Sequence, residues 1–188
     1  MAVPWWSIVT EVDVAATLQP SESLDPLEPS NVKLTERAAA WATGMVESYL
    51  GRKIIARKHL EMPYAETFIV RHFPVLEVLS GGTLLNEYEV QADDLETTVE
   101  YIGGYRRPDQ SLTDLQAYTP EMTVEPPEVP SLISETTAIL ASLYLKHTLR
   151  GTWTHEEAIT QIGTFTVRSR ASREIMEILQ MIDSERVL

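Results

Sequence analysis

The sequence predicts an α+β fold: a mainly helical core of two long helices plus a C-terminal helix, a small antiparallel β-domain, and extended arms. Three observations carry that prediction. Residues 30–50 and 130–149 repeat apolar side chains at three- and four-residue steps, and a glycine follows each. Between them, from residue 52 onward, the apolar period falls to two, with proline and paired glycines as punctuation. Residues 172–182 then return to a helical period. The implied organisation is an N-terminal arm over 1–30, a core over 31–170 and a C-terminal helix or tail over 171–188.

Taking the elements in order, the arm has little periodicity. Thr10 can cap a short helix to about Leu18, because a hydroxyl at that position accepts an orphan backbone N–H and Glu11 suits the positive helix start. The run that follows, with three prolines and several acids between Gln19 and Ser30, reads as an extended loop. Ser30 or Asn31 then caps the first long helix. Leu34, Ala38, Trp41, Met45 and Tyr49 fall on one face, widened by Ala42, Val46 and Leu50, and the expected partner of that face is a sheet. Gly51 supplies the stop.

From 52 to 62, Ile54, Ala56, Leu60 and Met62 are expected to point inward and Arg57, His59 and Glu61 outward. Further strands are expected over 67–73, 75–79, 87–90 and 97–102. Pro74 marks an edge or strand start, and Ser80-Gly81-Gly82-Thr83 reads as a hairpin turn. Residues 104–130 read as irregular, ending in a proline-rich approach. Pro130 and Ser131 open the second long helix. Its two apolar rows, through Leu132 and Ile133, imply burial on more than one side. A late strand over 159–168 and the terminal helix complete the chain.

Composition bounds the chemistry. The 188 residues suit one domain, and 44% hydrophobic content is ordinary for a packed core. With no cysteine, disulfides and thiolate-bound metals are excluded. Lys plus Arg total 15 against 28 Asp plus Glu, a formal charge of −13, which repels phosphate backbones at long range. The N-terminus shows no basic region followed by an apolar run, so synthesis in the cytoplasm is expected, and the apolar run near residues 138–145 is too short to span a bilayer.

No residue pattern points to catalysis. His59, His72, His147 and His155 share no ligand spacing. His155-Glu156-Glu157 is the one weak metal candidate, and the corresponding alternative function is a small metal-dependent hydrolase. Asp93-Asp94 with Glu96 reads as a solvated turn, since it lacks the alternating acids and sixth-position glycine of a calcium loop. Neither the serines nor Gly103-Gly104 sit in a nucleophile elbow or a phosphate loop. No catalytic, cofactor or metal residue is therefore assigned. Arg106-Arg107 and the group Arg168, Arg170 and Arg173 are the basic clusters, read mainly as ion-pairing points. Trp5-Trp6 either folds back on the core or anchors in a partner.

The ordered segments A-A-A-W-A-T-G-M-V-E-S-Y-L-G-R, R-K-I-I-A-R-K-H-L-E-M, H-F-P-V-L-E-V-L-S-G-G-T, V-E-Y-I-G-G-Y, V-P-S-L-I-S-E-T-T-A-I-L-A-S-L-Y-L-K-H and Q-I-G-T-F-T-V-R-S-R resemble the head–tail adaptor (connector, or head-completion) proteins of tailed bacteriophages. The resemblance covers residue 30 to the C-terminus through short, degenerate motifs. It implies a virion protein of the neck, at the head–tail interface. Its copies would form a dodecameric ring under the portal, join the portal to the next neck or tail component, and line a non-adhesive DNA channel. It also implies that the C-terminal segment from about residue 168 reaches into the portal. Partner-binding residues expected on that basis are Arg168, Arg170, Arg173, Ile175, Leu179 and Leu188, with Trp5 and Trp6 from the arm. Deleting the residues after Arg170 is expected to weaken portal attachment and spare the fold. The alternative within the same class is a stopper or tail-completion protein.

Overall fold

A computed structural model describes residues 4–17, 29–149 and 170–185. The fold is mixed α+β, with two small three-stranded antiparallel sheets. The chain divides into two units: Met1–Gly51 with Pro130–Leu188, and Arg52–Val129. Among the described residues, no helix is long and apolar enough to cross a membrane.

The first unit is helical. Helix α1 spans Glu11–Thr17. Thr10 begins it as expected, but the reciprocal partner is Asp13: its backbone N–H donates to the Thr10 hydroxyl at 3.3 Å, and its carboxylate accepts from the Thr10 N–H at 2.7 Å. Helix α2 spans Pro29–Leu50. Its fully buried stripe is Thr35, Ala38, Ala39, Ala42, Thr43 and Val46, while Leu34, Trp41, Met45 and Tyr49 are only half-buried. The buried face is thus rotated toward small residues. The reason lies in what covers it: a sheet was the expected partner, whereas α1 and α4 (Ser131–Leu149) of the same unit pack on α2, and small side chains let helix axes approach closely. Trp41 flanks that seam, its ring 5.2 Å from Tyr144 of α4.

Pro130 starts α4, its carbonyl accepting from the N–H groups of Ile133 and Ser134. The helix is buried on several sides, as its two apolar rows imply, with Ile133, Thr137, Ala138, Leu140, Ala141 and Leu145 all enclosed. The cover comes from this chain itself: α1, α2, a C-terminal helix α5 (Arg170–Leu179) and the 3-10 segment Gln180–Glu185 that continues it.

The second unit holds the strands β1 (Arg57–Glu61), β2 (Thr67–Ile69), β3 (Val75–Ser80), β4 (Gly82–Leu84), β5 (Glu89–Ala92) and β6 (Val99–Gly103), and a short helix α3 (Leu112–Gln116). One sheet runs β1-β6-β3 and the other β2-β5-β4. Their facing sides share a core of Phe68, Val70, Phe73, Val75, Val90, Val99 and Tyr101.

Three expectations are corrected in this unit. From Arg57 onward the phase of β1 is opposite to that expected: His59 is buried, while Leu60 is 70% and Met62 57% exposed. Register explains it, because His59 stands opposite Tyr101 and so shares the inner face. Residues 80–83 do not close a hairpin. The chain leaves one sheet at Ser80 and joins the other at Gly82. Gly81 allows this with φ +78°, and a Cβ there would sit 2.5 Å from the Thr98 carbonyl oxygen. Finally, the stretch read as irregular contains α3, capped by Ser111 and Asp114 in a reciprocal box. That box was readable as S-x-x-D.

The strand unit closes at its own base. Residues around Ile55 and Tyr105 bridge in parallel, as do Arg106 and Glu128. Tyr105 donates to the Ile54 carbonyl at 2.8 Å, and Val129 donates to the Arg106 carbonyl at 2.9 Å. The segment entering the unit and the segment leaving it therefore flank one central ribbon.

Candidate interaction surfaces

The expected partner residues fall into two groups. In the N-terminal segment, Trp5 and Trp6 sit in a turn closed by the Ser7 N–H donating to the Pro4 carbonyl at 2.8 Å, and both are half-buried. The residues after them fold back onto the helical unit. Ser7, Ile8 and Val9 are fully enclosed, and the Ile8 N–H donates to the Thr43 hydroxyl of α2 at 3.0 Å. A polar threonine inside the α2 stripe is thereby accounted for. It accepts a backbone donor that burial would otherwise leave unpaired. Farther along, the Thr17 hydroxyl reaches the Ala138 carbonyl of α4 at 3.3 Å.

At the other end of the chain, Arg170 begins α5 and Arg173 is exposed on it. Ile175 and Leu179 are 6% and 0% exposed, so their side chains are core, packed inside the helical unit with Ile182. This corrects the expectation that they form a partner surface. It also corrects the expectation that removing the residues after Arg170 spares the fold. An α5 side chain pairs back to α4 through Glu174 and His147 at 3.8 Å, and Tyr49 of α2 donates to Asp183. Arg168 and Leu188 lie outside the described residues, as do His155, Glu156, Glu157 and the strand expected over 159–168.

The strand unit holds a polar constellation that the sequence did not reveal. The rings of His59 and His72 stack with centroids 4.0 Å apart, and His59 also lies against Tyr101 at 5.4 Å. The Tyr101 hydroxyl donates to Glu61 at 2.8 Å and accepts from the His72 N–H at 3.2 Å. Glu61 also accepts from the Arg71 N–H, and His72 Nδ1 accepts from the Lys53 N–H at 2.9 Å. Both imidazoles are held neutral. Burial first, then His72 and Arg57, bring His59 down to about 3. Burial, then Arg71 and Arg57, bring His72 down to about 4. Burial, then the Glu61 carboxylate, pushes Tyr101 up. These contacts tie His72, Tyr101 and Glu61 into one packing element, in which His59 Nε2 is buried without a hydrogen-bond partner.

The remaining candidates are structural. Asp94 closes a turn by accepting from the Glu96 N–H at 3.1 Å and the Thr97 hydroxyl at 3.3 Å, as a solvated turn should. Arg106 pairs with Glu125 and Glu128, and Arg107 with Asp109, which is the ion-pairing role expected of that cluster. Arg52 lies 3.5 Å over the Phe73 ring and donates to the Phe73 carbonyl. Lys58 bridges Glu100 and Glu121 at 3.1 and 3.0 Å, and Thr123 donates to Glu77 at 2.9 Å. Those two contacts tie residues 121–123 to Lys58 and Glu77, which both stand opposite the buried Ile102. Among the described residues, no group of three or more His, Asp or Glu side chains is arranged to hold a metal.

What the sequence reading missed is that several large hydrophobic side chains of the strand unit, Leu60, Met62, Tyr64, Tyr118 and Val124 among them, are more than 40% exposed. Neither a scan against models of known protein families nor a search of curated proteins finds a match to this chain.

Proposed function

We propose that the chain is a structural protein of a tailed-phage neck, a head–tail adaptor whose copies form a ring between the portal and the next neck or tail component. The observation that carries this reading is the ordered set of motifs from residue 30 onward, in which a block of short strands interrupts two long helices. The adaptor reading calls for a helical core carrying a small β-domain. The division into a helical unit and a strand unit is compatible with that. The acidic balance of −13 suits a channel past which DNA slides without adhering. The work is done by buried area and a few anchors, so the function needs no turnover.

Negative-stain imaging of the purified chain mixed with portal tests the proposal. A ring on the portal vertex is expected. A chain that stays monomeric and ignores the portal overturns it. Immuno-labelling of virions then separates an adaptor from a stopper or tail-completion protein by position.

A further inference from the structure

Strand β2 is the outer strand of its sheet, with β5 on one side and, among the described residues, no strand on the other. Its backbone groups alternate in direction accordingly. The Glu66 carbonyl accepts from Ala92 at the end of β5, and the Val70 N–H donates to the Tyr88 carbonyl just before it. Ile69 and Arg71 fall out of phase with these two and turn their N–H groups the other way, onto the free edge. An open edge is a template on which another strand can pair. This one is well suited to it: residues 67–70 read Thr-Phe-Ile-Val, uncharged and β-branched or aromatic throughout, and Ile69 is 46% exposed.

Both of those outward donors are already taken, and by side chains. The Ile69 N–H donates to the Tyr64 hydroxyl at 3.2 Å, and the Arg71 N–H donates to the Glu61 carboxylate at 3.0 Å. Each acceptor is in turn held in place. The Tyr64 ring stands nearly perpendicular to the ring of buried Phe68, with centroids 5.7 Å apart. Glu61, the last residue of β1, also accepts from the Tyr101 hydroxyl at 2.8 Å. Tyr64 is 70% exposed, a large aromatic left in water. Its place over the edge of β2 gives that exposure a reason.

We propose that Tyr64 and Glu61 guard the free edge of β2, occupying its outward N–H groups so that the strand does not pair with the same strand of another copy. An incoming strand would offer carbonyl oxygens to donors that already have acceptors, so each bond it made would replace one and gain little. It would also lift the Tyr64 ring off Phe68 and part Glu61 from the Tyr101 hydroxyl. With the guard removed, the pairing open to two copies is antiparallel and two-fold, Ile69 opposite Ile69 and Thr67 opposite Arg71, because outward residues fall at alternate positions. The guard acts on the free chain and does not depend on its place in a phage neck.

The chain has no cysteine, so Ile69→Cys is a single reporter at the centre of that pairing, where facing Cα atoms about 5.5 Å apart suit a disulfide. Full chains carrying Ile69→Cys are oxidised mildly, with and without Tyr64→Ala. Disulfide-linked dimers are expected to form about fivefold faster or more once the Tyr64 side chain is gone. A Thr83→Cys reporter on exposed β4 is expected to be unmoved by the same substitution. Tyr64→Phe keeps the ring and removes only the acceptor. Amide hydrogen exchange at Ile69 should then quicken roughly fivefold or more, the equivalent of one net hydrogen bond. Exchange at Val70, bonded to the Tyr88 carbonyl, should stay as it was. Dimers that form equally fast with Tyr64 in place, or an equal acceleration at Thr83→Cys, overturn the guard. So does an Ile69 amide indifferent to Tyr64→Phe.

Discussion

Replacing His59 by Gln makes the strand unit resistant to mild acid. Both stacked imidazoles have folded values, about 3 and about 4, below the ordinary 6.5. As pH falls through 6.5, the unfolded chain takes up protons that the folded chain refuses, so stability is full above that value and is lost below it. Between pH 7.5 and 5.0, linkage at 1.36 kcal/mol per unit gives a loss of about 2 kcal/mol for His59. His72 is less deeply enclosed, and discounting for solvent screening leaves about 1 kcal/mol, for a combined loss of roughly 3 kcal/mol. Asp114 is held low by Ser111, and Glu121 by Lys58, so both stay ionised across this range and add nothing to the loss. The assay is urea unfolding followed through the methyl NMR signals of Val99 and Ile102, which report on the strand unit. Wild type should lose roughly 3 kcal/mol between the two pH values and His59→Gln roughly 1. An equal loss in both proteins would refute the assignment of the stacked pair as the acid-sensitive element.

Three further outcomes follow from the packing. Thr43→Val leaves the buried Ile8 N–H without its acceptor and should cost about 1–3 kcal/mol, with acrylamide quenching of tryptophan fluorescence rising as the segment around Trp5 and Trp6 loosens. Unchanged quenching and stability would show that the threonine is not what holds this segment. Gly103→Ala drives a Cβ into the His72 backbone carbonyl, which cannot yield as a side chain tip would. About 1–3 kcal/mol of destabilisation is expected, read by thermal unfolding, and a wild-type midpoint would contradict the close approach. Truncation after Arg170 removes Ile175, Leu179 and Ile182 from the helical unit, roughly 5 kcal/mol at about 1.5–3 kcal/mol each. A truncated chain that melts with the full chain would restore the view of this segment as a detachable tail.

The long helices were legible because a 3.6-residue period runs through both, with Gly51 following α2 and Pro130 preceding α4, although α2 already begins at Pro29 and so contains the expected caps Ser30 and Asn31. The face that α2 buries was not, since the large residues Trp41 and Met45 outweigh alanines in a hydrophobicity pattern, while close helix packing favours the alanines. In β1, alternation gave the correct period and the wrong phase. Leu60 and Met62 look like the inward set, and only the long-range partners Tyr101 and His72 explain why a histidine takes the interior. Sheet partners were equally hidden: nothing local to residues 80–83 distinguishes a hairpin from a corner between sheets. At the candidate surfaces, Arg106 and Arg107 were read correctly as ion-pairing residues because acids lie nearby in sequence.

The two flanking stretches that meet the Tyr105–Arg106 ribbon have one consequence for evolution of the chain. Strands in a ladder lie about 4.8 Å apart, so Ile55 and Glu128, close to the first and last residues of the strand unit, are within about 10 Å of each other. A guest fastened in this way is modular. It can be enlarged, exchanged or pruned to a short linker while its host helices keep their own pairing, and lineages sharing the helices are free to carry quite different inserts.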